Sequence, residues 1–313
     1  MRIVVTGSVA FDNIMSFPGR FKDQIMPDKI HILNINFSVD SLKRERGGTG
    51  GNQAYTLNLL GYKPKLVAAA GKDFGGYKKK LENLGLDVSG IMIDKNKLTA
   101  TGFVVTDQDD NQIWSFYSGA MSNAKKIDLK QYVDSDSFVV ISPNEVETMK
   151  KYIFECWDMK AKCLFDPAFA INYFSKEELK ECILKSSILI GNDYEMELIL
   201  RRSELSKKEM LKNLDLLITT LGAKGSLIET GKKKIKIPAA KPKNTSDPTG
   251  AGDAYRAGFT AGYLKGLDLE ICGRMGALAA VYTVELYGTQ THKFTIDEFK
   301  RRYKENFKQN LMI

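Results

Sequence analysis

An acidic residue directly behind a glycine turn stands out in the C-terminal third of the chain, in the run SDPTGAGDAYRAG. The turn formed by Gly250, Ala251 and Gly252 precedes a helical pattern. Its N–H groups and the positive end of the helix are therefore expected to converge on one point and to bind an anion there. Asp253 is then placed to orient a hydroxyl, and to accept its proton, as that hydroxyl attacks phosphorus. The alternative is that Asp253 only complements the helix dipole, and that the glycines form a connecting turn.

The same position predicts how strong a base Asp253 is. A helix start lowers the pKa of a carboxylate and makes it a weak base. A loose phosphoryl-transfer transition state needs little early proton removal, so orienting the nucleophile is enough.

Two motifs nearer the N-terminus carry groups that suit hydroxyl ligands. In GGTGGNQA, Gly48 would let a ligand approach the backbone, and the Asn52 amide both donates and accepts hydrogen bonds. This stretch lacks the G-K-[ST] of a P-loop and the G-x-G-x-x-G of a dinucleotide fold. Asp12 follows the first predicted strand, at the edge where open α/β sheets bind ligands, and its oxygens suit two neighbouring ribose hydroxyls. A capped turn and a surface turn residue are the respective alternatives.

Two further turns follow predicted strands and offer groups to a nucleotide. In NDYE, Glu195 suits a water of Mg2+ and Asn192 suits a triphosphate, because Mg2+ usually keeps most of its waters. The same N-x-x-E spacing is that of a helix capping box. TTLGAKGS offers hydroxyl and backbone donors to a nucleotide, with a simple hairpin as the alternative. Its candidate residues are Thr220, Gly222 and Gly225.

Short apolar runs alternate with longer amphipathic ones along most of the chain, which predicts an α/β fold with a doubly wound, mostly parallel sheet and helices on both faces. Two segments depart from this pattern. Residues 30–42 partly alternate as a half-exposed strand would, and residues 103–117 indicate a hairpin. Together they predict a small β lid. The expected boundaries are 1–11, 47–97 and 121–313 for the large domain, and 12–46 and 98–120 for the lid.

Composition limits the function classes. The chain of 313 residues carries a net charge of +8, four cysteines without a C-x-x-C pair and two histidines, so a structural zinc site or disulfide framework is not expected. The lysine clusters lack interleaved aromatic residues, which favours solvated faces over a nucleic-acid site. The start of the chain does not resemble a signal peptide, and the apolar stretches are too short to cross a membrane. We expect a cytoplasmic protein with neither nucleic-acid nor membrane partners.

These five signals, in their order along a chain of this size, resemble the ribokinase family, also called the PfkB-type carbohydrate kinases, over essentially the whole chain. The resemblance implies that the early glycine-rich motif binds substrate and that GAGD supplies the anion hole and the base. It also implies that N-x-x-E serves Mg2+ and phosphate, and that T-x-L-G-x-x-G contacts ATP.

Within the family, the N-terminal half, NDYE and DPTGAGDAYRAGF most resemble bacterial-type adenosine kinases. This implies that Asp12 and Asn52 hold a ribose and that Phe116 stacks on a base. A second stacking ring would fall at Gly102, which has none, so neighbouring Phe103 is a candidate. Phe169 follows Asp166 and Pro167 where those kinases carry polar amides, which would weaken discrimination among bases.

The family also often uses a monovalent cation, implying K+ at Asp247 and Thr249, with residues 288–290 completing the site. Pro248 between them stiffens the turn and leaves its carbonyls free.

We therefore expect a kinase that uses ATP and Mg2+ to phosphorylate a nucleoside 5′-hydroxyl, adenosine foremost. A sugar kinase acting on ribose, fructose or a phosphosugar, and a non-catalytic ligand-binding regulator, are the alternatives. An exposed lid strand would allow a homodimer.

Overall fold

The computed structural model describes residues 2–109 and 111–313. Its strands are β1 (Arg2–Thr6), β2 (Ala10–Ser16), β3 (Ser41–Gly47), β4 (Lys65–Gly71), β5 (Asp87–Asp94), β6 (Ala100–Thr106), β7 (Gln112–Tyr117), β8 (Ser137–Ile141), β9 (Lys162–Phe165), β10 (Ile188–Asn192), β11 (Leu216–Thr220), β12 (Ser226–Glu229) and β13 (Lys234–Ile237). Its α-helices are α1 (Phe21–Gln24), α2 (Thr49–Leu59), α3 (Gly75–Asn83), α4 (Val146–Asp158), α5 (Lys176–Lys185), α6 (Asp193–Ser203), α7 (Lys207–Met210), α8 (Ala251–Leu264), α9 (Leu269–Val284) and α10 (Ile296–Phe307). Short 3-10 helices cover Pro27–Ile32, Gly119–Lys126, Leu129–Gln131, Ala168–Tyr173 and Gly222–Lys224.

The larger sheet has the strand order β13-β12-β11-β10-β9-β8-β1-β4-β5. Its strands are parallel from β11 through to β5, and β12 and β13 are antiparallel additions at one edge. A central strand such as β8 is buried along its whole length, which is why it reads as a continuous apolar run. The predicted α/β fold with a doubly wound, mostly parallel sheet is confirmed.

Helices cover both faces of this sheet because side chains alternate along each strand. Ile3 and Val5 of β1 point into a core shared with α2, α8, α9 and α10, whereas Val4 points into a second core with α4, α5 and α6. The parallel strands end at a common edge, where Asn192 and Thr220 are the last residues of β10 and β11.

The smaller sheet has the order β3-β2-β6-β7, with β6 and β7 forming an antiparallel hairpin. The hairpin predicted for residues 103–117 is confirmed, although Asp110 in its turn lies outside the described residues. The strand predicted for residues 30–42 is wrong. Pro27 begins a 3-10 helix there, and Phe37 packs against the rings of Phe17 and Phe21. The strands that complete the sheet are β2 and the highly charged β3, which carry little apolar alternation.

The register of the smaller sheet determines which residues share a face. Asp12, Glu45, Gly102 and Phe116 stand opposite one another in one row. Since side chains alternate, Phe103 lies on the reverse face. We keep the lid boundaries of 12–46 and 98–120 as a proposal, noting that the strands of this sheet extend slightly beyond them.

Over residues 2–109 and 111–313, none of the helices combines the length and apolar character that a membrane span requires.

Candidate active site

Asp253 lies in the first turn of α8, where that helix meets the start of α2. Its carboxylate accepts hydrogen bonds from the side-chain amides of Asn52, at 2.8 Å, and Gln53, at 3.3 Å. Asp253 is only 9% exposed. The two amides therefore hold the carboxylate in one orientation, which is what a general base requires. Gln53 belongs to the GGTGGNQA motif, but sequence reasoning gave it no role.

The expected lowering of the Asp253 pKa is wrong. Burial raises the pKa of this carboxyl, although nearby Arg256 and the amides of Asn52 and Gln53 act in the opposite direction. Desolvation outweighs the helix start because the side chain is enclosed. Asp253 is therefore a better base than its sequence position alone suggests.

Asn52 positions Asp253 through a buried network. Its Oδ1 accepts hydrogen bonds from Thr289 Oγ1 at 2.8 Å and from Gln290 Nε2 at 3.0 Å, while its Nδ2 donates to Asp253. The Gln290 amide also contacts the hydroxyl of Tyr77. Because both acceptor sites of the Asn52 oxygen are used, only one N–H of this amide remains for a substrate hydroxyl. Asn52 can thus offer a ribose fewer hydrogen bonds than its sequence position suggested.

The glycine turn at the start of α8 supplies part of the predicted anion hole. Gly250 adopts a φ of 78°, which favours glycine. The Ala251 N–H donates to the Pro248 carbonyl at 3.2 Å, so the structure does not leave all three amides free, and that carbonyl is not free either. No acceptor for the N–H of Gly250 or Gly252 occurs in the described part of the chain. The N–H groups of Gly250 and Gly252 and the helix terminus remain available to an anion.

Asp12 projects from β2 toward the same region. Burial, together with the negative charges of Asp253, Asp247 and Glu45, raises the pKa of Asp12 to about 6. A Cβ at Gly47 would lie 2.3 Å from Asp12 Oδ2, so glycine is required there to make room for the carboxylate.

Gly48 is required by the backbone packing at the start of α2. It has a φ of 88°, and a Cβ there would lie within 2.7 Å of the backbone of Ser8, Val9 and Ala10. The neighbouring chain fills the space of a side chain at this position, and the approach of a ligand to the Gly48 backbone stays a prediction. The glycine lets the loop after β1 pack against the start of α2.

Aromatic rings line the lid face that carries Asp12. The Phe116 ring lies 6.3 Å from the Phe169 ring of the large domain, and both side chains are about half exposed. A Cβ at Gly102 would lie 2.7 Å from Asp12 Oδ1 and 3.2 Å from the Trp114 ring, so Trp114 occupies the space of the ring that Gly102 lacks. The predicted contribution of Phe103 is wrong, because β6 turns this residue to the reverse face. Trp114 was missed because its position depends on register.

Asn192 and Glu195 form the capping box of α6. Asn192 Oδ1 accepts from the Glu195 N–H at 2.7 Å, and Glu195 Oε2 accepts from the Asn192 N–H at 2.8 Å. The structural alternative therefore holds for both side chains. Glu195 Oε1 has no hydrogen-bond partner among the described residues, and it remains available to a ligand.

The hairpin between β11 and β12 borders a cavity of about 600 Å³. Thr220, Gly222 and Gly225 line one side of it, while Ala251 and Gly252 at the start of α8 line the other. The walls are completed by the segment 239–245 and by small residues of α9, neither of which carries a recognisable motif. Gly225 has a φ of 91°. The simple hairpin and the nucleotide contact are therefore compatible, since the hairpin places its glycines against the cavity.

Asp247 joins two loops beside the anion hole. Its Oδ1 accepts from the Thr249 N–H at 2.9 Å, and its Oδ2 accepts from the Gly288 N–H at 3.1 Å. The segment 247–249 is therefore adjacent to the segment 288–290, as the predicted cation site requires.

Comparison with known proteins identifies the class of this site. Residues 9–295 match the family described as pfkB family carbohydrate kinase. The chain is 34% identical over 307 residues to the nucleoside kinase of Methanocaldococcus jannaschii, covering 97% of each protein. It is 31% identical over 307 residues to a nucleoside kinase of Methanothermobacter thermautotrophicus, covering 96% of this chain and 95% of the relative.

The fold is similar to that of solved nucleoside kinases. The Burkholderia thailandensis nucleoside kinase in complex with inosine superposes with a TM-score of 0.90 at 30% identity, over 98% of this chain and 99% of the other. The M. jannaschii enzyme gives a TM-score of 0.85 at 32% identity, over 97% and 99% of the two chains. This chain therefore belongs to the pfkB family of carbohydrate kinases and is a phosphotransferase that acts on a hydroxyl group.

Proposed function

We propose that this chain transfers the γ-phosphoryl group of ATP to the 5′-hydroxyl of a nucleoside, with adenosine as the expected acceptor. The observation that carries the proposal is the aromatic face of the lid, where Trp114 and Phe116 share a face with Asp12 and the Phe116 ring approaches Phe169. Stacking on such rings contributes about 1 to 3 kcal/mol per base, and a simple sugar presents no comparable flat face. The nucleoside kinases similar to this chain, one of them in complex with inosine, support the same substrate class.

Each residue of the site has a distinct role in this reaction. Asp12, with help from the remaining N–H of Asn52, binds the ribose hydroxyls. Asp253 orients the 5′-hydroxyl and accepts its proton. The N–H groups of Gly250 and Gly252 neutralise charge on the transferred group. Closure of the lid then excludes water as a competing nucleophile.

The cavity beside α8 suits the donor nucleotide. It borders Gly252, so a triphosphate with its base in the cavity would extend toward the anion hole. Asn192, at the end of the neighbouring strand β10, would contact the triphosphate. The structure of the Burkholderia kinase with ADP and inosine supports an adenine nucleotide as the donor. We propose that the enzyme works in the cytoplasm, where ATP is available, which cell fractionation would test.

Mg2+ fits Glu195. Clusters of three or more metal-ligating side chains are absent from residues 2–109 and 111–313. Mg2+ does not need such a cluster, because it keeps several waters and is held by one or two carboxylates together with substrate phosphates. The unpaired Oε1 of Glu195 suits one of those waters. Bound there, the ion would neutralise charge on the phosphates.

The two loops joined by Asp247 offer oxygen atoms that suit a K+ ion. The adjacent segments 247–249 and 288–290 supply oxygen donors, including the carbonyls of Asp247 and Thr249 that the family resemblance implies. An ion there would stiffen the start of α8. Equal turnover in potassium and tetramethylammonium buffers would argue against a K+ site.

A sugar or phosphosugar kinase is less well supported. Arg44 and Arg46 of β3 alternate with Glu45 and so lie on the face opposite Asp12, where they cannot bind a sugar phosphate. Lys43 does lie on the Asp12 face, but its Nζ lies over the Tyr287 ring, 5.5 Å from the ring centre, and is engaged there.

The test is ATP-dependent phosphorylation of a panel of nucleosides and sugars, alongside Asp253→Asn. Nucleosides should be the better acceptors. The variant should bind both ligands but lose at least about 100-fold in kcat, the range for loss of a general base. Phosphorylation of sugars alone would overturn the nucleoside proposal, and near-normal turnover in the variant would overturn the role of Asp253.

We also propose a homodimer formed through the lid. On the reverse face of the lid, Leu42, Phe103 and Ile113 are each at least 42% exposed, and β7 is an unpaired edge strand. Sedimentation analysis of the wild type and of Phe103→Glu would test it. A monomer at all concentrations would refute it.

A further inference from the structure

A buried arginine lies beside the first turn of α8. Arg256 is 6% exposed, and its guanidinium forms an ion pair with Asp166: Nη2 donates a hydrogen bond to Oδ1 at 2.8 Å, and Nε lies 2.5 Å from Oδ2 without hydrogen-bond geometry. Asp166 is itself 1% exposed and immediately follows β9. A buried charge is costly unless it is paired and well oriented. This ion pair therefore connects the helix that carries Asp253 to the edge of the large sheet.

The same guanidinium reaches two other parts of the site. Its Nη2 lies 4.0 Å from Oε2 of Glu195, at the start of α6. A Cβ at Gly252 would lie 2.6 Å from Nη1, so the guanidinium packs directly against the backbone of the anion hole. Nη1 has no hydrogen-bond acceptor in the described part of the chain. Arg256 thus connects β9, α6 and the start of α8.

Arg256 is also the cation among several carboxylates. Asp253 is surrounded by Asp166 from β9, Glu195 from α6 and Asp12 from the lid, and Arg256 on its own helix is the compensating charge. Burial raises the pKa of Asp166 to about 7, against the opposing effect of Arg256.

We propose that Arg256 is a positioning residue for phosphoryl transfer: it holds Asp253 and the Gly252 N–H in reactive geometry relative to Glu195 and neutralises the surrounding carboxylates. The proposal rests on the role of Asp253 given above. A lysine would keep the charge but not the two-point contact with Asp166, because its ammonium is a single-point donor group on a flexible stem. The alternative is an ion pair that only stabilises the fold.

Three variants separate a positioning role of Arg256 from a purely stabilising one: Arg256→Lys, Arg256→Met and Asp166→Asn. For each variant we would measure kcat, both KM values, the pH dependence of kcat, and the melting temperature. If Arg256 positions the site, Arg256→Lys should remain folded and lose about 10- to 100-fold in kcat, the scale of a misplacement of about 1 Å. Its KM values should change by much less. In Arg256→Met the acidic limb of the pH profile should move to higher pH, because Asp253 loses a neighbouring cation.

The outcomes are distinguishable. Folded Arg256→Lys and Asp166→Asn enzymes with wild-type kcat would overturn the positioning role, and an unmoved acidic limb in folded Arg256→Met would overturn the neutralisation of Asp253. Should Arg256→Met fail to fold, Arg256→Lys and Asp166→Asn still decide the question. Near-normal turnover in Asp253→Asn would instead overturn the assignment of the base. An inactive Asp253→Asn beside an unaffected Arg256→Lys would overturn only the role of Arg256.

Discussion

At the scale of single residues, the site consists of carboxylates that the fold keeps in partly desolvated surroundings. Burial raises the pKa of Asp12 to about 6 and also raises that of Asp253. A carboxyl group whose pKa is raised in the folded state lowers the free energy of unfolding when it is ionised at neutral pH. Its contribution to folding stability is fully present below its unfolded pKa and is lost as the pH rises through its folded pKa. Both carboxyl groups therefore lower the folding stability of the protein at neutral pH.

Asp12→Asn should make the protein more stable and a poorer enzyme. A change of Asp12 pKa from 3.8 to about 6 corresponds to a cost of about 2 to 3 kcal/mol at neutral pH. The variant should therefore melt at a higher temperature at pH 7.5, and the difference should disappear below pH 4. The KM for nucleoside should rise in the variant, and in the wild type it should rise as the pH falls through about 6.

Thermal melts and KM values between pH 4 and pH 8 check both expectations. A variant that melts below the wild type at pH 7.5 would show that Asp12 makes favourable contacts that outweigh its desolvation.

At the scale of elements, helix starts are where structure and chemistry compete for the same side chains. The capping box of α6 uses Glu195 to bind its own N-cap backbone, and the proposed metal site uses the same carboxylate. These uses are compatible because each carboxylate oxygen has its own partner. The capping box of α10, formed by Thr295 and Glu298, has the same geometry without neighbouring site residues.

Glu195→Gln should separate these two uses. Glutamine at the third helical position still completes a capping box, so the free energy of unfolding should change by less than about 1 kcal/mol. The Mg2+ concentration that gives half-maximal rate should rise severalfold, because the charge near the metal is lost. Glu298→Gln is the matched control, and it should change stability equally without affecting the Mg2+ dependence. Equal Mg2+ dependence in both variants would refute a metal role for Glu195.

At the scale of the whole molecule, the site is shared between two sheets. Asp253 and the anion hole belong to the large domain, whereas Asp12, Trp114 and Phe116 belong to the lid. The rings of Trp114 and Phe116 on the lid face are about half exposed, so they would become buried when a ligand or the large domain covers them. Substrate binding and lid movement are therefore expected to be coupled.

Trp114 should report that coupling. The chain has two tryptophans, and Trp157 lies on α4, outside the lid. In Trp157→Phe, a nucleoside should cause a saturable change in fluorescence, because the Trp114 ring loses contact with water. The midpoint should match the KM for that nucleoside. A change that persists in Trp114→Phe, or none in Trp157→Phe, would contradict the proposed position of the base.

The sequence by itself determined the fold class, the family and the motif that holds Asp253, because glycine turns, apolar periodicity and a carboxylate at a helix start are local features. Only the tertiary structure decided the pKa direction of Asp253, the pairing of Asn52 with it, the replacement of a ring at Gly102 by Trp114, and the placement of Phe103 on the reverse face. These depend on burial and on strand register, which arise from residues distant in the chain. A local pattern cannot show which neighbours enclose a side chain.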